Sequence, residues 1–381
     1  MPKLKILFVL SQKLGWSSYA RLLQQAARAR DDFEPIFHLY QPPRIASLAA
    51  KKIHANRLTR HLGVIDPIQS ANLILGRWWR TQGSVLRPDA IHTVTNLLGA
   101  PFARLAPSIP LSVTIDCTRR AVQSDFGIGI FSAADIARER AIFQAARRIV
   151  CMTGWAAKSV IHDYGIEPGK IITLPFPARP NPSAGRHRRM RGAATGLPRI
   201  GFIGTDFKRK GGPALLAWHQ AHFRDRAELH IVSKKAPKVD LPNVIIHGGM
   251  PNEWVIGEFL PGMDIFCFPT RQDMSPLVLT EAAIAGVPVI TYRVGGTPDL
   301  VRNGKTGFLI DYGDTRGFIR AIGILLNNPT LRVAMGQRAG RFAARRFNME
   351  RHFTTLFDGI LTSSRTALPL QQVNCKFGTG R

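Results

Sequence analysis

The stretch Pro269–Thr291 reads PTRQDMSPLVLTEAAIAGVPVIT and decides how the surrounding chain folds. Ser275 is a natural N-cap and Pro276 a natural first helical residue, so a helix is predicted to begin there. Apolar runs at Ile265–Phe268 and Val287–Thr291 predict strands on either side of this helix. A strand, a helix and a strand in succession indicate a parallel sheet covered by helices.

The same alternation extends over most of the chain. Six apolar runs before residue 180 and six after it predict strands, and helical patterns separate them. A chain of 381 residues exceeds what one hydrophobic core usually supports, and 45% apolar residues is the composition of a globular protein. The sequence therefore predicts an α/β protein with two Rossmann-like, doubly wound domains, residues 1–180 and 199–348.

Two segments break the alternation. Residues 181–198 lie within ARPNPSAGRHRRMRGAATGLP, where no carboxylate balances the arginines, and we interpret them as a basic linker. The tail 364–381 has no periodicity and is predicted to be flexible.

The net charge indicates an anionic partner. The chain has 52 Lys and Arg against 25 Asp and Glu, a net charge of +27. An acidic membrane surface, nucleic acid and a phosphate-bearing substrate all fit this charge, and charge alone does not choose between them. A genome biased toward Arg codons explains the same composition without any partner.

The compartment is predicted from what the sequence lacks. No apolar run approaches the roughly 20 residues that cross a bilayer. The N-terminal MPKLKILFVLSQ reads as a strand, because it has no small-residue cleavage site. The cysteines at 117, 151, 267 and 375 form no CxxC pair, which argues against a zinc cluster or a disulfide framework. We therefore expect a cytoplasmic protein.

Three loops carry the candidate binding residues, because ligands of doubly wound sheets bind beyond the carboxyl ends of the strands. The first loop, Gly201–Gly212, reads GFIGTDFKRKGG. Its Lys208, Arg209 and Lys210 can neutralise a diphosphate, and a small residue such as Gly204 lets the backbone approach a ligand. A solvated basic turn is the alternative interpretation.

The second loop leads into the helix of the opening stretch. Backbone amides at the helix start are free to bind a ligand, over Ser275, Pro276, Leu277 and Val278. Glu281 lies inside an otherwise apolar run, where a carboxylate is costly unless it accepts hydrogen bonds, and ribose hydroxyls are suitable donors. A neighbouring amide or Arg could satisfy Glu281 instead, and Asp273 could be an ordinary turn residue.

The third loop, Arg293–Asp299, reads RVGGTPD, with Thr297 and Pro298 in the cap and first helical positions. Gly295 and Gly296 can bring backbone close to a base or sugar, or simply form a tight turn.

Together these loops resemble the nucleotide-sugar domain of the large retaining GT-B glycosyltransferase family, from Arg199 to about Arg346. That family carries an acidic residue, seven others and then Glu, which Asp273 and Glu281 match. A GVPV strand and a Gly-Gly turn follow in the family, as they do here at residues 286–289 and 295–296. A weaker similarity covers residues 137–175, so the resemblance extends loosely over nearly the whole chain.

The resemblance implies two domains that face each other across a cleft and a role for each matched residue. Arg209 and Lys210 would bind the donor diphosphate, Asp273 would contact sugar hydroxyls and Glu281 would hold the ribose. It also implies transfer with retention at the anomeric carbon, no cofactor and no metal. The final helix, 349–363, is predicted to cross back to the first domain.

The acceptor side departs from the family pattern. Many members have His before Asp at the end of a strand, whereas this chain has Ile115 before Asp116, so Asp116 would act alone. The usual Gly-Gly loop after the first strand is reduced to Gly15, beside Trp16. The acceptor is unidentified, and a lipid-linked or polysaccharide precursor at an anionic membrane surface is one expectation, with attachment through basic N-terminal helices such as Arg44–Arg60. Asp273 is also one methylene shorter than the Glu common at its position.

Two other functions remain open. The charge alone favours a nucleic-acid-binding protein on a GT-B scaffold, although the acidic pair makes a nucleic-acid partner the weaker hypothesis. A GT-B sugar-nucleotide epimerase would process the donor without an acceptor. The sequence contains no DxD metal motif and no GxGxxG after its first strand.

Overall fold

The computed structural model describes residues 3–12, 15–41, 67–129, 131–178 and 196–365. Its strands form two sheets, one in each half of the chain. The first sheet contains β1 Leu4–Ser11, β2 Phe33–Tyr40, β3 Ala90–Val94, β4 Leu111–Ile115, β5 Arg148–Cys151 and β6 Ile171–Thr173. The second contains β7 Arg199–Ile203, β8 Glu228–Val232, β9 Val244–Gly248, β10 Ile265–Phe268, β11 Val289–Tyr292 and β12 Gly307–Ile310.

Both sheets are parallel, with strand orders β2-β1-β3-β4-β5-β6 and β12-β11-β10-β7-β8-β9. The winding reverses between β1 and β3 in the first sheet and between β7 and β10 in the second. Ligands of such sheets bind at these reversals, beyond the carboxyl ends of the strands. The predicted α/β fold with two doubly wound sheets is confirmed.

Helices cover both sheets. They are α1 Gly15–Arg28, α2 Pro67–Trp78, α3 Asn96–Leu105, α4 Arg119–Phe126, α5 Ala133–Ala145, α6 Gly154–His162, α7 Gly212–His222, α8 Asn252–Trp254, α9 Leu277–Ile284, α10 Thr297–Leu300, α11 Thr315–Asn327, α12 Pro329–Arg346 and α13 Met349–Arg365. The sequence did not predict α3 or α4, because α3 contains Gly99 and Pro101 and α4 has only eight residues. Across the described ranges, no helix combines the length and apolarity needed to cross a membrane.

The last helix, α13, packs on the N-terminal sheet. Phe353 and Phe357 are buried in the same core as Phe8, whose ring centroid lies 5.9 Å from that of Phe357. The Tyr19 hydroxyl lies 2.9 Å from His352 Nε2. His352 Nδ1 lies 2.9 Å from the Pro175 carbonyl and therefore carries the proton, which leaves Nε2 to accept from Tyr19. The chain thus ends its described part in the first domain.

Several predicted segments fall outside the described residues. They are 181–195 of the linker, 366–381 of the tail, Arg44–Arg60 and Cys375.

The helix starts differ in part from the prediction. Thr153 caps α6, since its hydroxyl accepts from the Ala156 amide at 3.2 Å. Ser275 is not the N-cap of α9, because Pro276 keeps an extended ψ of 105° and takes that position, so the helix begins at Leu277. Thr297 is likewise not a cap. Its hydroxyl is 2.7 Å from the Tyr292 carbonyl and accepts from the Val294 amide at 3.0 Å, which holds the preceding turn.

Candidate functional site

The loops after β7 and β10 lie against each other at the carboxyl edge of the C-terminal sheet. These two strands are neighbours, so their ends meet. Gly211, with φ of +84°, closes the basic loop, and a Cβ atom there would lie 2.0 Å from the Pro269 carbonyl oxygen. Only glycine permits this approach. The two predicted donor loops are therefore adjacent.

A buried ion pair joins these loops. Lys210 Nζ donates to Asp273 Oδ2, and Asp273 is only 6% exposed. The ammonium also lies 5.2 Å from the centroid of the Phe268 ring. Burial lowers the pKa of Lys210 below its ordinary value, and the Asp273 carboxylate opposes that shift. The cation is held largely out of water, where its attraction for an anion is strengthened.

Arg209 is oriented by both loops. Its Nη1 donates to the Gln272 carbonyl at 2.7 Å. Its Nε lies 3.5 Å from Asp206 Oδ2, and its backbone amide donates to Asp206 Oδ1 at 3.3 Å. The side chain is 36% exposed, so Arg209 is only partly covered by the two loops.

Gly204 has a packing role in addition to its place in the loop. Its amide donates to the Val232 carbonyl at 3.0 Å and so extends the pairing of β7 with β8. A Cβ atom at this position would lie 3.0 Å from Lys210 Cβ. The missing side chain makes room for Lys210.

Glu281 lies one turn inside α9 and is half-buried. No donor in the described part of the chain hydrogen-bonds its carboxylate. Burial raises its pKa to about 7. The amides of Leu277 and Val278, at the start of the same helix, have no partner within the helix by its geometry. The short helix α9 thus offers amide donors in its first turn and, one turn later, the carboxylate of Glu281 as a hydrogen-bond acceptor.

The Gly-Gly turn packs on the second loop. Cβ atoms at Gly295 and Gly296 would each lie 2.0 Å from a carbonyl oxygen, those of Asp273 and Met274 respectively. The Gly296 amide donates to the Asp273 carbonyl at 3.3 Å. The three loops that the sequence singled out therefore converge around Asp273.

Asp116 directly follows β4 in the other domain. Burial raises the pKa of its carboxyl, and the negative charge of Asp273 raises it further. The neighbouring Cys117 hydrogen-bonds Asp116, and burial raises the pKa of the thiol.

Glu139 hydrogen-bonds to the loop that carries Asp116, and the sequence analysis did not predict this role for Glu139. The side chain is 1% exposed and accepts from the Arg119 amide at 3.0 Å. It also accepts from Asn96 Nδ2 and from the Tyr164 hydroxyl. A buried acid with three donors fixes the loop that carries Asp116.

Gly15 and Trp16, which the sequence analysis predicted to lie on the acceptor side, begin α1. The Trp16 ring packs 5.2 Å from Phe176 and 5.8 Å from Tyr19, centroid to centroid. Trp16 is therefore anchored in the N-terminal core, with part of its surface exposed.

Within the described ranges, side chains of the second and third loops also hydrogen-bond to the N-terminal domain. Gln272 Nε2 donates to the Phe126 carbonyl at 3.1 Å. Asp299 Oδ2 accepts from the Trp155 amide at 3.3 Å. The domains face each other at the carboxyl edges of their sheets.

Residues 197–328 match the family "Glycosyl transferases group 1". This segment is a group 1 glycosyl transferase domain. It contains the basic loop, the acidic pair and the Gly-Gly turn, so the predicted group 1 glycosyltransferase domain is confirmed for this segment.

Similar proteins agree with the group 1 assignment. D-inositol 3-phosphate glycosyltransferase of Streptomyces coelicolor is 25% identical over 249 residues, which is 55% of this chain and 54% of that protein. The chain spans about half the length of the first curated relatives it matches.

Sucrose-phosphate synthase from Thermosynechococcus elongatus has a TM-score of 0.72 at 16% identity, covering 93% of this chain and 98% of that one. HepE from Anabaena, solved in complex with UDP-glucose, has a TM-score of 0.66 at 16% identity, covering 94% and 99%. The predicted GT-B fold is confirmed.

The group 1 domain presents charges suited to a phosphorylated ligand. Lys210 and Arg209 supply positive charge beside the amides that begin α9, and Glu281 supplies an acceptor for hydroxyl donors. Gln272 and Glu139 were missed because each acts through a partner far away in sequence. Chain spacing alone gives no signal for contacts of this kind.

Proposed function

We propose that the protein transfers a sugar from a nucleoside-diphosphate sugar to an acceptor bound by the N-terminal domain, with retention of the anomeric configuration. The donor diphosphate would bind Arg209, Lys210 and the amides that begin α9. The ribose hydroxyls would donate to Glu281, and Asp273 would contact the sugar. The finding that supports this most is the half-buried Glu281 carboxylate, which has no donor within the described residues.

The cations suit the chemistry of the step. When the bond between the anomeric carbon and the diphosphate breaks, negative charge accumulates on the departing oxygen. Preorganised positive charge and amide donors stabilise that charge more than they stabilise the bound substrate. Lys210 is buried beside Asp273, so little reorganisation is needed when the charge develops. Retention rests on the resemblance to the retaining family.

The acceptor would lie on the side of Asp116, in the other domain, whose carboxyl pKa is raised in part by the charge of Asp273. A carboxylate there can accept a hydrogen bond from a sugar or acceptor hydroxyl. Gly15 and Trp16 would contribute to the same side. We propose a lipid-linked or polysaccharide precursor as acceptor.

The net charge of +27 supports action in the cytoplasm at an anionic membrane surface. Sedimentation with liposomes tests this. Binding to vesicles that contain phosphatidylglycerol, and not to neutral vesicles, is expected. Equal binding to both kinds of vesicle contradicts the idea.

We propose that no metal takes part, because the cations of the chain supply the charge that a metal would otherwise provide. Turnover is expected to be unchanged by excess EDTA, and loss of turnover that Mg²⁺ or Mn²⁺ restores contradicts this.

A thermal-shift screen with UDP-, GDP- and ADP-sugars tests the donor. A ligand that binds only the folded chain raises the melting temperature. UDP-glucose comes first, because the similar HepE structure was solved with it. Stabilisation by one of the nucleotide sugars, absent in Glu281→Ala, is expected.

The screen also separates the alternatives. Stabilisation by nucleic acid alone, with a steep salt dependence, selects the nucleic-acid-binding function. Conversion of the donor to its epimer in the absence of any acceptor selects the epimerase.

A further inference from the structure

Gln272 makes contacts in two directions. Its carbonyl accepts from Arg209 Nη1 at 2.7 Å and from the Thr270 hydroxyl at 3.2 Å, both within the C-terminal domain. Its side-chain amide donates to the Phe126 carbonyl of the N-terminal domain at 3.1 Å. One residue therefore connects a donor-site cation to the backbone of the opposite domain.

The Phe126 carbonyl is a fixed acceptor. Phe126 is the last residue of α4, and the final carbonyls of a helix have no partner within the helix. They also carry the negative end of the helix dipole, which favours an N–H donor. The other end of α4 is capped by Thr118, whose hydroxyl accepts from the Ala121 amide at 3.1 Å. The start of α4 is thus held by its cap Thr118, which lies two residues after Asp116.

We propose that Gln272 is a positioning residue, which holds Arg209 in place for the donor diphosphate by anchoring the second loop to Phe126. This rests on the proposed function, in which Arg209 binds that diphosphate. With the side chain anchored, the carbonyl of residue 272 is fixed, and the guanidinium that bonds to it is fixed in turn. Through Gln272, Arg209 is then held in position for the diphosphate only when the two domains are in contact.

Gln272→Met tests the anchor. Methionine keeps the length and apolar body of the side chain but has no N–H to donate, while the backbone carbonyl remains. Isothermal titration with inorganic diphosphate measures the effect on the cations without requiring any sugar transfer. We expect the affinity for diphosphate to fall about tenfold, the upper end of what one neutral hydrogen bond is worth, because the variant loses the bond to the Phe126 carbonyl that holds the loop.

Asp299→Ala is the matched control. It removes a different hydrogen bond between the two domains, the one that the Trp155 amide donates to Asp299, without touching Arg209. Diphosphate affinity is expected to stay within about twofold of the parent chain. Equal losses in both variants would mean that the domain interface as a whole is responsible, and would overturn the positioning role.

A double-mutant cycle with Arg209→Ala shows whether the effect passes through Arg209. If it does, Gln272→Met causes almost no further loss in the Arg209→Ala background. A purely structural role predicts the same tenfold loss in both backgrounds, and that result overturns the proposal. Melting temperatures of all variants confirm that each is folded.

The diphosphate probe keeps this proposal separate from the proposed function. If the parent chain binds diphosphate with the expected variant pattern but turns over no UDP-, GDP- or ADP-sugar, the proposed function fails and the positioning role stands. If the parent chain binds no diphosphate, the positioning role is overturned.

Discussion

Glu281→Gln separates the cost of a buried carboxylate from its use in binding. The carboxyl ionises near pH 4.5 in an unfolded chain, whereas burial raises its pKa to about 7 in the fold. The folded state therefore binds more protons between these values, so stability falls as pH rises through this window. The shift corresponds to about 3 kcal/mol at most, and the partial exposure of Glu281 reduces it. Glu281→Gln should stabilise the ligand-free chain by about 1–2 kcal/mol above pH 7.

The same substitution should weaken donor binding. A carboxylate that accepts ribose hydroxyls contributes about 2 kcal/mol, so the nucleotide-sugar Kd should rise about thirtyfold at pH 8. In the parent chain, ionisation of Glu281 falls from about nine-tenths at pH 8 to about one-tenth at pH 6, so affinity should fall about tenfold. In Glu281→Gln this dependence should vanish.

Calorimetry with the nucleotide sugar measures both effects. The sugar diphosphate is a diester that does not titrate between pH 6 and 8, so the pH dependence reports the protein. Urea unfolding at pH 8 measures the stability gain. A variant that is less stable than the parent chain, or that keeps the parent pH dependence of binding, would refute the reasoning.

Three further predictions concern other parts of the structure. Lys210→Ala should lower turnover by two orders of magnitude or more, because one preorganised electrostatic contact is worth about 3 kcal/mol. The substitution also leaves the buried Asp273 carboxylate without its ion-pair partner. Adding Asp273→Asn to Lys210→Ala should therefore restore the melting temperature but not the turnover. Gly296→Ala should raise the donor KM, because its Cβ would lie 2.0 Å from the Met274 carbonyl oxygen, whereas Gly323→Ala, with nothing within 4 Å, should leave KM unchanged. The fold should lose about 1.4 kcal/mol per pH unit below pH 6.5 from His352 alone, since burial lowers its pKa to about 3 and the unfolded chain binds the proton that the fold excludes. Because the Glu281 carboxyl acts in the opposite direction over this range, urea unfolding at pH 7 and pH 5 is compared between the parent chain and His352→Gln, and the same pH dependence in both would count against the effect.

The sequence predicted the features that depend on local pattern. Apolar runs of strand length predicted the two sheets because a buried parallel strand needs apolar residues on both faces. The spacing of Asp273 and Glu281 pointed to the family, and the structure joins Asp273 to Lys210 and to the Gly-Gly turn. These are short segments whose side chains act on their own loop or helix.

Other features could not be predicted because they depend on long-range contacts. The start of α9 shifted by one residue, since the extended ψ of Pro276 moved the cap position from Ser275. The helix that begins at Asn96 forms despite Gly99 and Pro101, because Leu98 and Phe102 on it are buried in the N-terminal core.

The hydrogen-bond partners of the site's side chains also could not be predicted from the sequence. Gln272 contacts a residue 146 positions away, and Glu139 gathers donors up to 43 positions away. Neither residue type, at its place in the chain, indicates such a partner.

The central claim is that the basic loop and the start of α9 bind the diphosphate of a nucleotide sugar together. A crystal structure of the chain with the nucleotide sugar selected by the thermal screen tests it most directly. The account predicts diphosphate oxygens within about 3 Å of Lys210 and Arg209, with ribose hydroxyls on Glu281. A nucleotide bound elsewhere, with Lys210 still paired only to Asp273 and no ligand on Glu281, would contradict it.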